Sequence, residues 1–267
     1  MVSTMEGKRQ RYIHEKEEEE EEEEEDLEEF GLTYNLQSVK IKKKLLVLDV
    51  NGLLCQKIFR YDKAKLPNSS SVPVIECGSF LVYKRPYCDE FMNFCLERFE
   101  VGIWSTAREG NLNSVLDCIM EGLKSKLLFV WDQSHCTSSG FYTLEKKGKP
   151  IFLKDLKKLW KNINAILPES KGQFSKSNTL LIDDKPYKAL LNPLHSAIFP
   201  DEYKADNVDD ASLGPKGELR LYLEELADAD NVTCFVEERP FGQPPITPTH
   251  SQWDFYSKIV HHFQKSS

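Results

Sequence analysis

Three apolar segments of the chain each run into polar side chains that can hold a metal ion or a phosphate group. These polar pairs are Asp49 with Asn51, Ser105 with Thr106, and Asp183 with Asp184. Short apolar runs followed by turn residues are typical of buried strands in a parallel sheet, whose carboxyl ends meet at one edge. Two or three carboxylates at that edge would form a hard oxygen site suited to Mg²⁺. A hydroxyl beside backbone N–H groups would hold phosphate oxygens.

The first pair departs from a complete acidic motif. Two aspartates at positions i and i+2 after a strand can hold Mg²⁺, and they supply a nucleophile and a general acid. Asp49 can be that nucleophile, but position 51 is asparagine, whose amide cannot transfer a proton. The segment Asp49 to Gly52 is also compatible with a strand that simply ends in an Asn-Gly turn.

Lys154 precedes the fourth predicted strand and is a candidate for the positive charge that binds a phosphate group. Each candidate has an ordinary structural alternative. Asp183 and Asp184 can form a turn, Ser105 can cap a helix, and Lys154 can be a solvated surface residue. The four features in this order are much rarer than any one of them, and the combination favours a phosphate site.

Apolar periodicity predicts an α/β fold, with a Rossmann-like parallel sheet and helices on both faces. Strands are predicted over 45–48, 101–104, 127–131, 179–182 and 197–199. Helices are predicted over 87–99, 112–123, 153–163, 216–229 and 253–263. Residues 55–82 and 132–150 are predicted to be small insertions, one after the first strand and one before Lys154, and no large cap domain is expected.

Charge is distributed unevenly along the 267 residues. The formal net charge is −8, but residues 1–39 alone hold 14 acidic and 4 basic residues, a net −10, so the remainder carries +2. We therefore predict an acidic disordered tail over 1–39 and a folded domain over 40–267. The tail is either solvated or contacts a basic protein partner, and we expect no direct nucleic-acid partner.

Cysteine spacing and hydropathy bear on cellular location. The seven cysteines include no Cys-x-x-Cys pair, and an odd count without a framework fits a reducing compartment. The chain has no run of 18 apolar residues, so no membrane span is expected. The acidic amino-terminal segment argues against a mitochondrial transit peptide. The expected location is the nucleus, the cytoplasm or both.

The set of motifs resembles the haloacid dehalogenase superfamily. Within it, the chain is similar to the phosphatase domain that acts on the carboxy-terminal domain (CTD) of RNA polymerase II, also called the NLI-interacting-factor-like domain. The resemblance spans about residues 41–200. It rests on Asp-Val-Asn-Gly-Leu at 49–53, an Arg-Pro helix entry at 83–91, Ile-Trp-Ser at 103–105, Phe-Leu-Lys-Asp-Leu at 152–156 and Ile-Asp-Asp-Lys-Pro at 182–186.

The resemblance implies a two-step phosphoryl transfer. Asp49 would attack phosphorus and form an aspartyl-phosphate. Mg²⁺ would be held by Asp49, the backbone carbonyl of Asn51, and Asp183 with help from Asp184, and it would neutralise the developing charge.

The resemblance also assigns roles around the phosphate. Ser105, Thr106 and Lys154 would bind the substrate phosphoryl group. Residue 51 would protonate the leaving group and then deprotonate the attacking water, and Asn51 can do neither. Loss of positioned acid–base catalysis lowers rates by about 10²–10⁴-fold.

Three functional hypotheses follow. The first is a weak Mg²⁺-dependent phosphatase acting on phosphoserine or phosphothreonine in proteins. The second is a pseudophosphatase that binds a phospho-ligand or a protein with little turnover. The third is a protein like the mitochondrial inner-membrane import receptor that shares this domain. That receptor carries a transit peptide and a membrane span, which are not expected here.

Overall fold

The computed structural model describes residues 43–62, 66–67, 75–77, 79–167 and 173–265 of the chain. The predicted acidic tail over 1–39 lies outside the described residues. Across the described part of the chain, no helix is both long and apolar enough to cross a bilayer.

A five-stranded parallel sheet forms the centre of the fold and confirms the predicted α/β class. Its strands are β1 Leu45–Leu48, β5 Glu100–Trp104, β6 Phe129–Trp131, β9 Thr179–Ile182 and β10 Ala197–Ile198. Their spatial order is β10-β9-β1-β5-β6. The third strand of this sheet along the chain is shorter than the predicted 127–131, because it begins at Phe129 after a 3₁₀ turn over Lys124–Lys126. The Leu128 N–H nevertheless donates to the Val101 carbonyl of β5 at 2.7 Å.

The register of the sheet aligns the strand ends that carry polar residues. Leu48 pairs with Ile103 of β5 on one side and with Ile182 of β9 on the other. Asp49 and Asp183 therefore leave the sheet at the same level. Trp104, the residue before Ser105, lies one position further along the same edge. Parallel pairing thus brings residues more than 130 positions apart in sequence to one edge.

Helices cover both faces of this sheet, as predicted. They are α1 Cys88–Arg98, α2 Glu109–Ile119, α3 Leu156–Asn164, α4 Glu218–Asp228, α5 Val232–Glu238 and α6 Trp253–Gln264. Strand β1 shows why helices must cover both faces, because all four of its side chains are buried. Leu46 and Leu48 belong to the core on one face, and Leu45 and Val47 belong to the core on the other.

Each face recruits different helices. The first core is completed by α1, α2, α4 and α5 through residues that include Phe91, Leu116, Leu223 and Val232. The second is completed by α3 through Leu156, Leu159 and Ile163. Full burial of each such side chain stabilises the fold by about 1.5–3 kcal/mol. The edge that carries the aspartates is thereby fixed from both sides.

The two predicted insertions form small antiparallel sheets. After β1, strands β2 Cys55–Phe59, β3 Ile75–Cys77 and β4 Phe80–Lys84 pair in the order β2-β4-β3. Before Lys154, β7 Thr137–Tyr142 and β8 Pro150–Leu153 form a hairpin. The hairpin packs against α6, since Ile151 and Leu153 share a core with Tyr256 and Ile259.

Three helix assignments differ from the prediction. The helix predicted over 112–123 spans Glu109–Ile119 instead. Leu153 was expected in a helix over 153–163, but it is the last residue of β8. The helix begins at Leu156. The Asp155 side chain caps it by accepting a hydrogen bond from the Lys157 N–H at 3.0 Å. Helix α5 was not predicted, because its seven residues are too short for a clear apolar stripe. Asn231 caps α5 by accepting from the backbone N–H groups of residues 233 and 234.

Arg85, from the Arg-Pro helix entry, joins distant segments through a buried ion pair. Its guanidinium donates to both carboxylate oxygens of Asp210 at 2.9 Å and to the Leu53 carbonyl at 3.1 Å. Arg85 is 4% exposed and Asp210 is 8% exposed. The pair ties the loop after β10 to the turn after β1.

Replacing Asp210 with alanine should leave the buried Arg85 charge without its partner. Breaking a buried ion pair in this way lowers the free energy of unfolding by about 3–5 kcal/mol. The exposed Lys124–Asp117 pair, 2.8 Å between Nζ and Oδ1, provides a control, because Asp117→Ala should cost at most about 1 kcal/mol. Urea denaturation measures both, and equal losses would contradict the structural role given to Arg85.

Candidate active site

Three aspartates converge at the carboxyl edge of the central sheet. Each of Asp49, Asp183 and Asp184 offers one carboxylate oxygen, and these oxygens lie within 4.8 Å of one another. All three side chains are buried, with residue exposures of 2%, 0% and 2%. The backbone continues the sheet at this point, since the Asp49 N–H donates to the Ile182 carbonyl at 3.0 Å. The geometry brings together the three carboxylates that the sequence predicted would meet.

Gly52 allows the turn after β1 to approach Asp184. Its φ of +90° is a conformation that residues with a side chain rarely adopt. A Cβ atom at this position would lie 2.5 Å from Asp184 Oδ2. The turn is held in place because the Gly52 carbonyl accepts from the Tyr203 N–H at 2.8 Å. Glycine is therefore required here both by the backbone angle and by the neighbouring carboxylate.

Lys154 points into the carboxylate cluster. Its Nζ lies 2.5 Å from Asp183 Oδ2 and 3.2 Å from Asp49 Oδ1, and the residue is 1% exposed. Asn192 positions the segment by donating to the Lys154 carbonyl at 2.9 Å and accepting from the Leu156 N–H at 2.9 Å. The alternative that Lys154 is a solvated surface residue is therefore wrong.

Lys188 is a second buried lysine in the same cluster, and it was not predicted. Its Nζ lies 2.5 Å from Asp49 Oδ2, 2.8 Å from Asp183 Oδ1 and 3.6 Å from Asp184 Oδ1. The residue belongs to a 3₁₀-helix over Pro186–Ala189. The sequence contained a signal for it, because a proline that starts a helix places the residue four positions after Asp184 back beside that aspartate.

Burial and charge act in opposite directions on these groups. For Asp49, burial would raise the pKa, but the Lys154 and Lys188 ammonium groups outweigh it and hold the pKa well below its usual range. Burial would lower the pKa of Lys188, but the carboxylates, Asp183 foremost, raise it well above its usual value. Burial raises the pKa of Asp184 to about 7, because Lys188 only partly opposes it. Asp184 is thus less well neutralised than Asp49.

Ser105 and Thr106 lie at the adjacent strand end. The buried Ser105 hydroxyl accepts from the Ala107 N–H at 3.2 Å within the turn after β5. It does not cap helix α2, which begins at Glu109 after Arg108. Thr106 lines a small cavity of about 100 Å³ together with Lys149 and Lys188. The cavity therefore connects the predicted phosphate-binding loop with the second lysine of the cluster.

Asn51 faces the backbone of the first insertion. Its side-chain oxygen accepts a hydrogen bond from the Lys57 N–H at 2.7 Å, which orients the amide group. The same backbone region is closed by a hydrogen bond from the Gly52 N–H to the Cys55 carbonyl at 2.7 Å. Asn51 thus stabilises the turn, and its amide offers no titratable proton.

The three carboxylates are compatible in type and spacing with a hard divalent cation such as Mg²⁺. Asp184 supports this match to a cation, because its Oδ1 atom is buried and has no hydrogen-bond partner among the described residues. A buried carboxylate oxygen in that state is suited to a cation ligand. The three carboxylates therefore fit a divalent ion as ligands. The Lys188 ammonium group already neutralises two of these carboxylates, those of Asp49 and Asp183.

The fold and this edge of the sheet define the class of protein. A Rossmann-like parallel sheet with aspartates after two adjacent strands, and small insertions in place of a large cap, is the haloacid dehalogenase-like fold. The family model for the NLI interacting factor-like phosphatases matches residues 44–233. The chain belongs to this family, a CTD phosphatase-like group, and the predicted resemblance is confirmed.

The individual relatives share only a small fraction of identical residues with this chain. An uncharacterised FCP1 homology domain-containing protein of Schizosaccharomyces pombe is 24% identical over 202 residues, covering 74% of this chain and 78% of that protein. A solved structure of fission yeast RNA polymerase II CTD phosphatase Fcp1 bound to beryllium fluoride is 15% identical, with a TM-score of 0.40. The match covers 84% of this chain and 64% of the Fcp1 chain, so this chain spans less than two thirds of that protein's length.

Replacing Gly52 with alanine should destabilise the protein and distort the carboxylate cluster. The positive φ costs about 1–2 kcal/mol for a residue with a Cβ, and the Cβ contact with Asp184 adds to that cost. Gly110→Ala in helix α2 is the matched control, since a Cβ there meets nothing within 4 Å. Guanidinium denaturation should show a loss for Gly52→Ala and no loss for Gly110→Ala. Similar stabilities would show that this close approach is unimportant.

Proposed function

We propose that this protein is a phosphatase-like protein that binds phosphoserine or phosphothreonine side chains of proteins at Asp49 and turns them over slowly. The observation that carries the proposal is the place of Asp49. Its carboxylate occupies the first motif of the family and lies buried between two ammonium groups, at 3.2 Å from Lys154 and 2.5 Å from Lys188. A nucleophilic carboxylate and the charge needed to receive a phosphoryl group are thus adjacent.

The proposed reaction begins with attack of an Asp49 carboxylate oxygen on phosphorus. A bond forms between that oxygen and phosphorus, and the bond from phosphorus to the serine or threonine oxygen breaks. The leaving alkoxide must gain a proton, and Asn51 has none to give. Water must supply it, and later water must hydrolyse the aspartyl-phosphate without a positioned base. Both steps are therefore slow, by about 10²–10⁴-fold relative to positioned acid–base catalysis.

Other residues of the chain receive the phosphoryl group. Lys154 and Lys188 neutralise its oxygens by their ammonium charge, as lysine does at many phosphate sites. The Ser105 hydroxyl and the backbone at Thr106 lie at the neighbouring strand end and provide further donors. The cavity beside Thr106 gives the phosphoryl group access to this edge.

Mg²⁺ is the cofactor that the family resemblance implies. Asp49, Asp183, Asp184 and the backbone carbonyl of Asn51 would hold it, and when bound it would neutralise charge on the phosphoryl group. The acidic triad supports this part of the proposal.

A second function is favoured by the contacts of the nucleophile. Both oxygens of Asp49 are engaged by lysines, and the Asn51 amide is engaged by the backbone of the insertion. A site in that state can bind a phosphorylated protein without cleaving it. The second proposal is therefore a pseudophosphatase that recognises a phosphoprotein in the nucleus or the cytoplasm, with the acidic segment 1–39 available to a basic partner.

Restoring the acid distinguishes the two functions. Asn51→Asp should raise kcat for a phosphoserine peptide by about 10²–10⁴-fold, because the alkoxide leaving group needs a proton. The gain should be smaller for p-nitrophenyl phosphate, whose leaving group is a stable anion. Asp49→Asn is the control and should abolish turnover of both compounds. Steady-state phosphate release measures the wild-type protein and both variants.

Two results would change this assignment. If the wild-type protein cleaves the phosphoserine peptide as fast as Asn51→Asp, then a group other than residue 51 supplies the proton. If Asn51→Asp is folded and inactive while the wild-type protein binds the phosphopeptide in calorimetry, the binding function is correct and the phosphatase function is wrong.

A further inference from the structure

The Lys188 ammonium group lies where a metal ion would lie among the three carboxylates. One oxygen each of Asp49, Asp183 and Asp184 faces its Nζ atom, at 2.5, 2.8 and 3.6 Å. Convergence of several carboxylate oxygens on one point is also what binding of a divalent cation requires. The lysine is 6% exposed, so its charge is satisfied by these groups more than by water.

Lys188 and a divalent ion cannot share this position. Magnesium lies about 2.0–2.1 Å from its oxygen ligands. An ion bound by the three oxygens that face Lys188 would compete with the ammonium group for the same ligand atoms. The two cations would also repel each other strongly, because a buried site screens charge poorly. Binding of a divalent ion to these oxygens is therefore opposed by the Lys188 side chain.

Charge balance leads to the same conclusion. Asp49, Asp183 and Asp184 carry three negative charges when ionised, and the buried Lys154 and Lys188 supply two positive charges in direct contact. Lys185 also contacts Asp184, but its charge is balanced by Glu202. Without Lys188, the excess of two negative charges would match one divalent cation. With Lys188 in place, the same cation would leave excess positive charge in a buried cluster, which is unfavourable.

The backbone fixes the starting point of the Lys188 side chain. Its N–H donates to the Lys185 carbonyl at 3.0 Å within the 3₁₀-helix, and its carbonyl accepts from the Lys154 N–H at 2.8 Å. The proline at position 186 sets the start of this helix. These backbone contacts thus place the Lys188 ammonium group within reach of the three carboxylates.

We propose that Lys188 is the resident cation of this site and weakens its affinity for Mg²⁺ and similar divalent ions. The inference goes beyond the proposed function, because it concerns which cation balances the carboxylates, whether or not phosphate is turned over. Negative charge arriving at Asp49 is then neutralised mainly by two lysines of the chain. Removal of Lys188 should therefore strengthen metal binding by the three aspartates.

A Mn²⁺ titration tests the proposal in the absence of phosphate. Electron paramagnetic resonance of free Mn²⁺ gives the affinity of the full-length wild-type protein and of Lys188→Ser. We expect Lys188→Ser to bind Mn²⁺ at least about tenfold more tightly than wild type, since it removes the competing charge. Adding Asp49→Ala to Lys188→Ser should abolish the gain, which locates the ion at the triad.

Lys185→Ser is the matched control. Lys185 is close in the chain and carries the same charge, but its Nζ contacts Asp184 Oδ2 at 3.2 Å from the partly exposed side and also pairs with Glu202 at 2.8 Å. Its removal should raise Mn²⁺ affinity much less than Lys188→Ser does. An equal gain would show that net charge alone, and not the place of Lys188, controls the affinity, and the proposal would be wrong.

Two further results would overturn the proposal. One is a wild-type protein that binds Mn²⁺ as tightly as Lys188→Ser. The other is a folded Lys188→Ser that binds no more Mn²⁺ than wild type. If Lys188→Ser does not fold, Lys188→Gln replaces it, because glutamine keeps most of the volume, removes the charge and offers an oxygen ligand. Since no phosphate is present, either failure leaves the proposed phosphate chemistry untouched.

Discussion

The neutralisation of three buried aspartates by lysines of the same chain is the interaction on which this site depends. Carboxylates confined within 4.8 Å repel one another, and burial removes the water that would screen them. Lys154 and Lys188 contact Asp49 and Asp183 from opposite ends of their carboxylates. The sheet register, the turn at Gly52 and the 3₁₀-helix after β9 are the structural means by which these charges meet.

Much of the fold and part of the site could be predicted because they follow from short-range patterns. Continuous apolar runs identify the strands of a parallel sheet, and parallel pairing requires that their ends meet, so Asp49, Asp183 and Asp184 could be grouped before any coordinates. Lys154 was also named as a candidate from its motif, and it lies in the cluster, while its role toward a phosphate group stays a prediction. The roles assigned to Ser105, Thr106 and the metal ion depend on ligands and stay predictions.

The features that escaped prediction depend on contacts between distant segments. The spacing of Lys188 from Asp184 gave a local signal, but its contact with Asp49 joins residues 139 positions apart and has no signature in the sequence. The partnership of Arg85 with Asp210 spans 125 positions and has no local signature. The pairing of β4 with β2 and with β3 could not be predicted either, because short antiparallel strands are specified by their neighbours more than by their own sequence.

The backbone ties around the two lysines determine how ions can exchange at this edge. The Lys188 carbonyl accepts from the Lys154 N–H, and Asn192 clamps the Lys154 segment from the other side. The main chain therefore has little freedom to carry either ammonium group away. Exchange of Lys188 for another cation would proceed by rotation about its side-chain bonds, toward the cavity beside Thr106, without opening of a loop. Such rotamer changes are among the fastest conformational motions of proteins. The cations that contact the three carboxylates could therefore change while the backbone of the cluster stays rigid.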